Sequence, residues 1–235
     1  MSHELSLRLR EGTAQVHRAA ERMTLIQALL RGLTDRTTYA ALVGAYLEVY
    51  TSLEAALKAN ADHPVAGPLV LPELWRCRAL ADDLRALVGS APLSSPSEAT
   101  LAYCRRIESL ARSAPELLVS HAYTRYLGDL AGGQILGRII GRALGLAPGA
   151  GLDFYTFAEI GDTVAYRQSY RARLDALPID DDTAERIVEE AKRAFGYNTA
   201  LFAELEGSAL RGLGRVLRGR ARGRGALPVE LRVAS

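Results

Sequence analysis

Apolar residues recur at intervals of three and four along almost all of this 235-residue chain, and period-two alternation is nearly absent. That pattern excludes a sheet-built domain and predicts an all-α fold. The first helix is expected from about Glu4 to Arg31, with Leu5, Leu9, Thr13, Val16, His17, Ala20 and Met23 on one side and Gly32 as its stop. Thr34 or Asp35 caps a second, carrying Tyr39, Leu42, Val43, Tyr46, Val49, Tyr50, Leu53 and Leu57. The Pro- and Gly-containing segment 60–68 breaks it, and a short helix follows over about Leu74 to Leu87. Ser95-Pro96-Ser97-Glu98 reads as a capping box with proline in the first turn, opening a helix to about Arg112. Ser113-Ala114-Pro115-Glu116 repeats the signal and opens a long helix to about Leu144, ended by Gly145 and Pro148. An aromatic-rich loop spans Gly149 to Ile160, before helices near Asp162 to Leu177 and Asp181 to Glu206.

There is no internal repeat and no linker long enough to divide the chain, so residues 1–208 are expected to form one domain. Residues 209–235 form an Arg/Gly-rich tail, expected to be disordered and solvated. From Glu206 onward the chain has seven arginines and two acids, which leaves about −3 of the total +2 for everything before. The basic balance therefore belongs to the tail, which argues against a nucleic-acid-binding fold. No uncharged apolar run reaches the roughly 18 residues of a membrane span, and the start lacks the apolar core of a secretory signal. Cys77 and Cys104 have no CxxC spacing, fit small hydrophobes better than ligands, and suit a reducing cytoplasm.

Four histidines are candidates for chemistry: His3, His17, His63 and His121. His3 is terminal, and His63 lies in a turn beside Pro64. His121 stands in a polar stretch, Ser-His-Ala-Tyr-Thr-Arg-Tyr, that reads as a buried hydrogen-bond network. His17 lies on an apolar helix face with Glu21 one turn on, the arrangement of an imidazole that binds metal through one nitrogen and meets a carboxylate through the other. A surface His–Glu pair is the plainer alternative. Di-iron Glu-x-x-His repeats, His-Glu-x-x-His, a P-loop and Gly-x-Gly-x-x-Gly are all absent, so a single ligating histidine suits five-coordinate heme iron better than an all-protein metal cage.

The most informative segment is Tyr126-Leu-Gly-Asp-Leu-Ala-Gly-Gly-Gln134. Each glycine inside a helix costs about 1 kcal/mol relative to alanine. Close helix packing through a small-residue row accounts for Gly137, Gly141 and Gly145. It accounts poorly for the doubled Gly132-Gly133 near Asp129, which predicts a kinked helix laying bare backbone against something flat.

With these residues in place, the chain resembles the heme oxygenases of the biliverdin-forming type. The longest match is Pro115-Glu-Leu-Leu-Val-Ser-His-Ala-Tyr-Thr-Arg-Tyr-Leu-Gly-Asp-Leu-Ala-Gly-Gly-Gln-Ile-Leu136; residues 5–21, 46–54, 63–74, 154–177 and 187–205 match more loosely. The resemblance implies a helical bundle that sandwiches heme between a proximal helix and a glycine-kinked distal helix. It implies His17 as the iron ligand with Glu21 as its partner, and Gly128, Gly132 and Gly133 as the residues whose backbone lies over the other heme face. Asp129 resembles the carboxylate that organises water near bound dioxygen, with Tyr50 and Arg125 in the same network. Arg10, Tyr123, Arg167 and Arg171 match positions that meet the heme propionates, and Phe195 and Asn198 match residues near the pocket. Arg10 and Arg167 stand where lysines are common, Ala131 where serine is frequent, and Gly196 where a larger residue is usual. The membrane-bound members end in a hydrophobic anchor, whereas this tail is arginine-rich, like the soluble bacterial type.

The implied reaction is oxidative cleavage of heme b, both cofactor and substrate, by O2 and reducing equivalents. The products are biliverdin, expected as the α isomer, carbon monoxide and ferrous iron. A ferredoxin or a reductase would supply electrons. A glycine break offers no acidic side chain against dioxygen, but room for water held by Asp129. A non-catalytic heme carrier or sensor would keep His17 and the pocket without needing Asp129, Tyr50 and Arg125. A cofactor-free bundle would use the glycine row for packing alone.

Overall fold

The computed structural model describes the backbone of residues 4–90, 95–147 and 149–223, with side chains described up to 206. His3, Pro148 and residues 224–235 of the expected tail lie outside the described residues. Among the described residues every regular element is helical.

The helix expected over Glu4 to Arg31 is two: α1 (Leu5–Glu21) and α2 (Thr24–Leu30). The amides of Arg22 and Met23 turn back three residues, to Ala19 and Ala20, and Met23 is extended. The head of α2 is capped from far away, by the Glu206 carboxylate accepting the Leu25 amide. Gly32 ends α2 as expected, in the left-handed region at φ 66° that glycine adopts without strain.

α3 (Arg36–Ala59) is capped by Asp35, whose side chain accepts the Thr38 amide at 2.7 Å. α4 (Cys77–Val88) starts later than Leu74, because Pro72–Leu74 forms a 3-10 turn. The buried Glu54 carboxylate of α3 accepts the Arg76 and Cys77 amides at the start of α4. α5 (Glu98–Ser113) is capped by Ser97 rather than Ser95, so Pro96 precedes the cap instead of opening the helix. The second expected cap does not form: Ser113 donates back to the Ser109 carbonyl, and Pro115–Leu117 makes a 3-10 turn without a side-chain cap. α8 (Thr163–Asp175) is capped by Asp162, and α9 runs Asp181–Gly223. Its backbone helix runs into the Arg/Gly-rich segment 209–235 as far as Gly223.

The long helix between these elements is continuous but not uniform. α6 (Leu118–Ala122) passes into two π-helical stretches, Tyr123–Leu127 and Asp129–Gly133, and then into α7 (Gln134–Leu144). Gly128 and Gly133 keep right-handed helical angles, so the glycine segment widens the helix rather than interrupting it. Such π-turns are rare and concentrate at functional sites.

α1 lies along α9 and α8, α3 packs on α4 and α5, and α5 and α6 close against α9. Tyr39, Tyr50, Tyr103, Tyr126 and Tyr170 are fully buried among leucines. The aromatic loop folds as a 3-10 turn, Asp153–Tyr155, held by the buried Asp83 carboxylate, which accepts the Asp153 and Phe154 amides at 2.7 Å each. Its Tyr155 ring fills the groove that Gly137 leaves, and Leu152 does the same at Gly141. Gly145 does not belong to this packing row: it is the left-handed C-cap of α7, at φ 62°. A Cβ at Gly137 would stand 2.8–3.0 Å from three Tyr155 atoms. Gly137→Ala is therefore expected to lower the unfolding free energy by about 1–3 kcal/mol in a denaturant titration, the usual cost of overpacking.

His121 is a buried network residue, as its polar setting predicts. Its Nε2 lies 3.2 Å from Glu190 Oε1 and its Nδ1 3.4 Å from the Tyr103 hydroxyl. Arg106 grips Glu190 with two donors, at 2.9 and 2.6 Å. Burial pushes the Glu190 pKa up, but Arg106 and His121 outweigh it and hold the carboxyl at about 2. Burial lowers the His121 pKa, against the Glu190 contact, which acts to raise it. Both shifts make the unfolded chain bind protons more readily than the folded one as pH falls. From about pH 5 down toward 2, Glu190 is expected to forfeit on the order of 3 kcal/mol of stability. Denaturant titrations at a series of pH values test this, and Glu190→Gln should flatten the acid limb.

Candidate active site

The candidate side chains fall into three groups, carried by α1, α3, α8, α9 and the π-helical stretch. The first is buried. The Tyr50 hydroxyl donates to Asp129 Oδ2, and Arg125 Nε donates to the same hydroxyl at 3.2 Å. Arg125 Nη1 donates to Asn198 Oδ1 at 2.8 Å, and Nη2 lies 3.6 Å from Asp129 Oδ1. The guanidinium also lies over the Tyr46 ring, 4.2 Å from its centroid, a cation–π contact that adds to its fixation. Tyr46 and Tyr50 are one turn apart on α3, as Arg125 and Asp129 are on the π-helical stretch, so two helices each present a pair on one face. Burial raises the Asp129 pKa, with Arg125 and Tyr50 acting against it, and burial raises Tyr50 well above the usual tyrosine range.

The second group centres on His17, which is half-exposed. Its Nδ1 lies 3.5 Å from Glu21 Oε1, which leaves Nε2 as the nitrogen available to a ligand. Its ring meets Phe195 edge-on at 5.6 Å. Phe195 and Asn198 lie three residues apart on α9, so one helix touches both groups. Among the described residues, no set of three or more His, Cys, Asp or Glu side chains is placed to hold a metal ion. A metal at His17 would therefore have to bring other ligands with it.

The third group is cationic. Burial raises the Tyr123 pKa, and Thr13, Arg171 and Arg10 act to lower it. Arg10 and Arg171 are exposed, and Arg167, one turn before Arg171, donates from Nε to the Thr163 carbonyl at 3.2 Å.

The glycines separate into two kinds. A Cβ built at Gly128 or Gly132 meets nothing within 4 Å, whereas one at Gly133 would meet Tyr155 at 3.3 Å. Gly128 and Gly132 border open space beside Asp129, and Gly133 faces the packing row instead. Tyr46 was legible in sequence only as one more apolar position; its i, i+4 pairing with Tyr50 was the available signal. The resulting arrangement is a half-exposed imidazole, a patch of bare helix backbone, a buried carboxylate wired to a cation, and arginines at the rim. A lone imidazole can bind a metal that brings its own further ligands, and exposed arginines can meet acidic groups.

The heme oxygenase family model matches residues 3–204. Heme oxygenase 1 of Synechocystis sp. is 42% identical over 216 residues, which is 91% of this chain and 90% of that protein. The crystal structure of a Synechocystis heme oxygenase-1 in complex with heme aligns with a TM-score of 0.86 at 41% identity, covering 93% of this chain and 99% of that one. A heme oxygenase structure from Leptospira interrogans aligns with a TM-score of 0.83 at 41% identity, over 87% of this chain and all of that one (100%). With the family model spanning the body of the chain and a relative this similar over nine-tenths of it, the chain belongs to the heme oxygenase family.

Proposed function

We propose that this protein cleaves heme b with O2 and reducing equivalents to biliverdin, carbon monoxide and ferrous iron, with α-meso regiochemistry. The observation that carries the reading is the buried Asp129–Tyr50–Arg125–Asn198 network opening beside Gly128 and Gly132. A carrier needs a ligand and an apolar slot; it has no use for a buried, wired carboxylate.

Heme, held by His17, supplies the iron centre that activates dioxygen and is also the molecule consumed. His17 presents Nε2 because Glu21 faces Nδ1, and a neutral imidazole donates less electron density than a thiolate. Gly128 and Gly132 admit the macrocycle close to the helix backbone, where any side chain would hold it off. Asp129 uses one oxygen for the Tyr50 hydrogen bond, and its remaining lone pairs can accept from water over Gly128. Its raised pKa brings it nearer neutrality than an exposed carboxylate, which suits a relay that takes and returns a proton. Arg10, Arg167 and Arg171 would pair with the propionates and so would fix the rotation of the ring. Gly133 supports the site indirectly, through Tyr155. Electrons come from a reduced carrier such as a ferredoxin, or from a reductase, and the free thiols of Cys77 and Cys104 suit a reducing cytoplasm.

The test is a heme titration followed by reductant in air. The enzyme reading expects a Soret band that decays as biliverdin absorbance grows. A Soret band that persists through repeated reduction would identify a carrier.

A further inference from the structure

Arg125 and Asp129 stand one turn apart, with side chains only 6% and 11% exposed. That spacing allows an arginine and a carboxylate to close into a hydrogen-bonded pair. They stay apart: Arg125 Nη2 lies 3.6 Å from Asp129 Oδ1, beyond hydrogen-bond range. Opposite charges in a low-dielectric interior gain by closing such a gap, so another partner must compete for the guanidinium.

Arg125 Nε is engaged by the Tyr50 hydroxyl and Nη1 by Asn198, and neither partner carries charge. The face of the guanidinium belongs to Tyr46. Its ring centroid lies 4.2 Å from the guanidinium carbon, nearer than the 5.1 Å of the Tyr50 ring. An aromatic face attracts a cation at these distances, more strongly where water is excluded. Tyr46 is itself fixed, with the rings of Phe154, Tyr50 and Phe202 packed at 5.7, 6.4 and 6.5 Å.

We propose that Tyr46 is a positioning residue: its ring face shares the Arg125 guanidinium with Asp129, holds that pair open, and so leaves Asp129 Oδ1 free to accept from water. Other titratable groups act on Asp129 from several elements. They are Tyr50 beside Tyr46 on α3, Tyr126 on the π-helical stretch, Arg76 at the head of α4, and Tyr155 in the 3-10 turn. Burial raises every one of these tyrosines, so the charged groups among them are the two arginines. Against the burial of Asp129, Arg125 acts most strongly, ahead of Tyr50 and Arg76. Letting Arg125 close on Asp129 would therefore make the carboxyl titrate at lower pH.

A carbon NMR titration of the aspartate carboxyls in the heme-free protein tests this; the Asp129 signal is the one missing from Asp129→Asn. Tyr46→Leu should move its midpoint down by roughly 1 pH unit or more. Tyr46→Phe keeps the ring face and should titrate like the parent. Water entering the space that leucine leaves would push in the same direction, so fluorinated phenylalanines at position 46 decide between the two causes. They keep the size of the ring while weakening its attraction for a cation. Singly and triply fluorinated rings should lower the midpoint stepwise, and this series stands alone if the leucine variant fails to fold. A leucine variant that titrates at or above the parent midpoint overturns the proposal. So does a phenylalanine variant that titrates like leucine, which would assign the effect to the hydroxyl. Fluorinated rings that titrate like phenylalanine also overturn it, since Tyr46 would then only fill space. The inference rests on reading Asp129 as the group that holds water over heme, but the titration is made without heme. Biliverdin formed at the parent rate by Asp129→Asn would refute that reading and leave the titration result standing.

Discussion

Asp129→Asn is expected to slow biliverdin formation by roughly 100-fold or more, in the range that loss of a positioned proton-transfer group costs, while heme still binds. Asparagine keeps the shape and can still accept the Tyr50 hydrogen, but it removes the charge that faces Arg125. Leaving Arg125 without its anion costs about 1–3 kcal/mol of stability, which Asn198 and the Tyr46 ring partly offset. The fold should therefore survive, and the loss should appear in turnover. The pH dependence is a second readout. The relay needs the ionised carboxylate, so parent activity should fall as pH drops through the raised Asp129 pKa, and the variant should lack that limb. A variant that formed biliverdin at the parent rate would show that the water relay is misassigned.

His17→Ala is expected to produce the largest loss of heme affinity. Removing the hydrogen-bond partner of a metal-bound histidine costs about 10–100-fold in affinity. Glu21→Gln should fall within that range, and loss of His17 itself should exceed it. The fold should hardly notice. His17 is half-exposed and meets the edge of the half-buried Phe195 ring, so its removal should change stability by no more than about 0.5 kcal/mol. The pairing of a large ligand effect with a small stability effect separates an iron ligand from a structural histidine. Heme titration read at the Soret band measures the first, and a denaturant titration the second. Free imidazole should restore the parent spectrum to the alanine variant; failure to do so alongside parent-like affinity would reject His17 as the ligand.

What was legible in sequence was whatever is decided within a few residues. Asp35, Asp162 and Gly32 end or begin helices through partners two to five residues away, and each was readable in place. The break between α1 and α2 was not, because its cap is Glu206, from the far end of the chain. The start of α4 depends on Glu54, and the turn at Asp153–Tyr155 on Asp83, each supplied by another element. Local signals misled where a tertiary partner took over: Ser113 carries a capping pattern but bonds backward along α5. The site followed the same rule. Three glycines around an aspartate announced something unusual, yet a kink and a π-helical widening share one composition. Only packing against Tyr155 separates Gly133 from Gly128 and Gly132. Likewise Tyr46 could not be told from a core tyrosine until Arg125 was found over its ring.

A crystal structure of the heme-loaded protein tests the central claim most directly. It should show the macrocycle between α1 and the π-helical stretch, with His17 Nε2 on the iron, Gly128 and Gly132 over the opposite face, and propionates toward Arg10, Arg167 and Arg171. Iron ligated by any other residue, or heme seated away from Gly128 and Asp129, would contradict it.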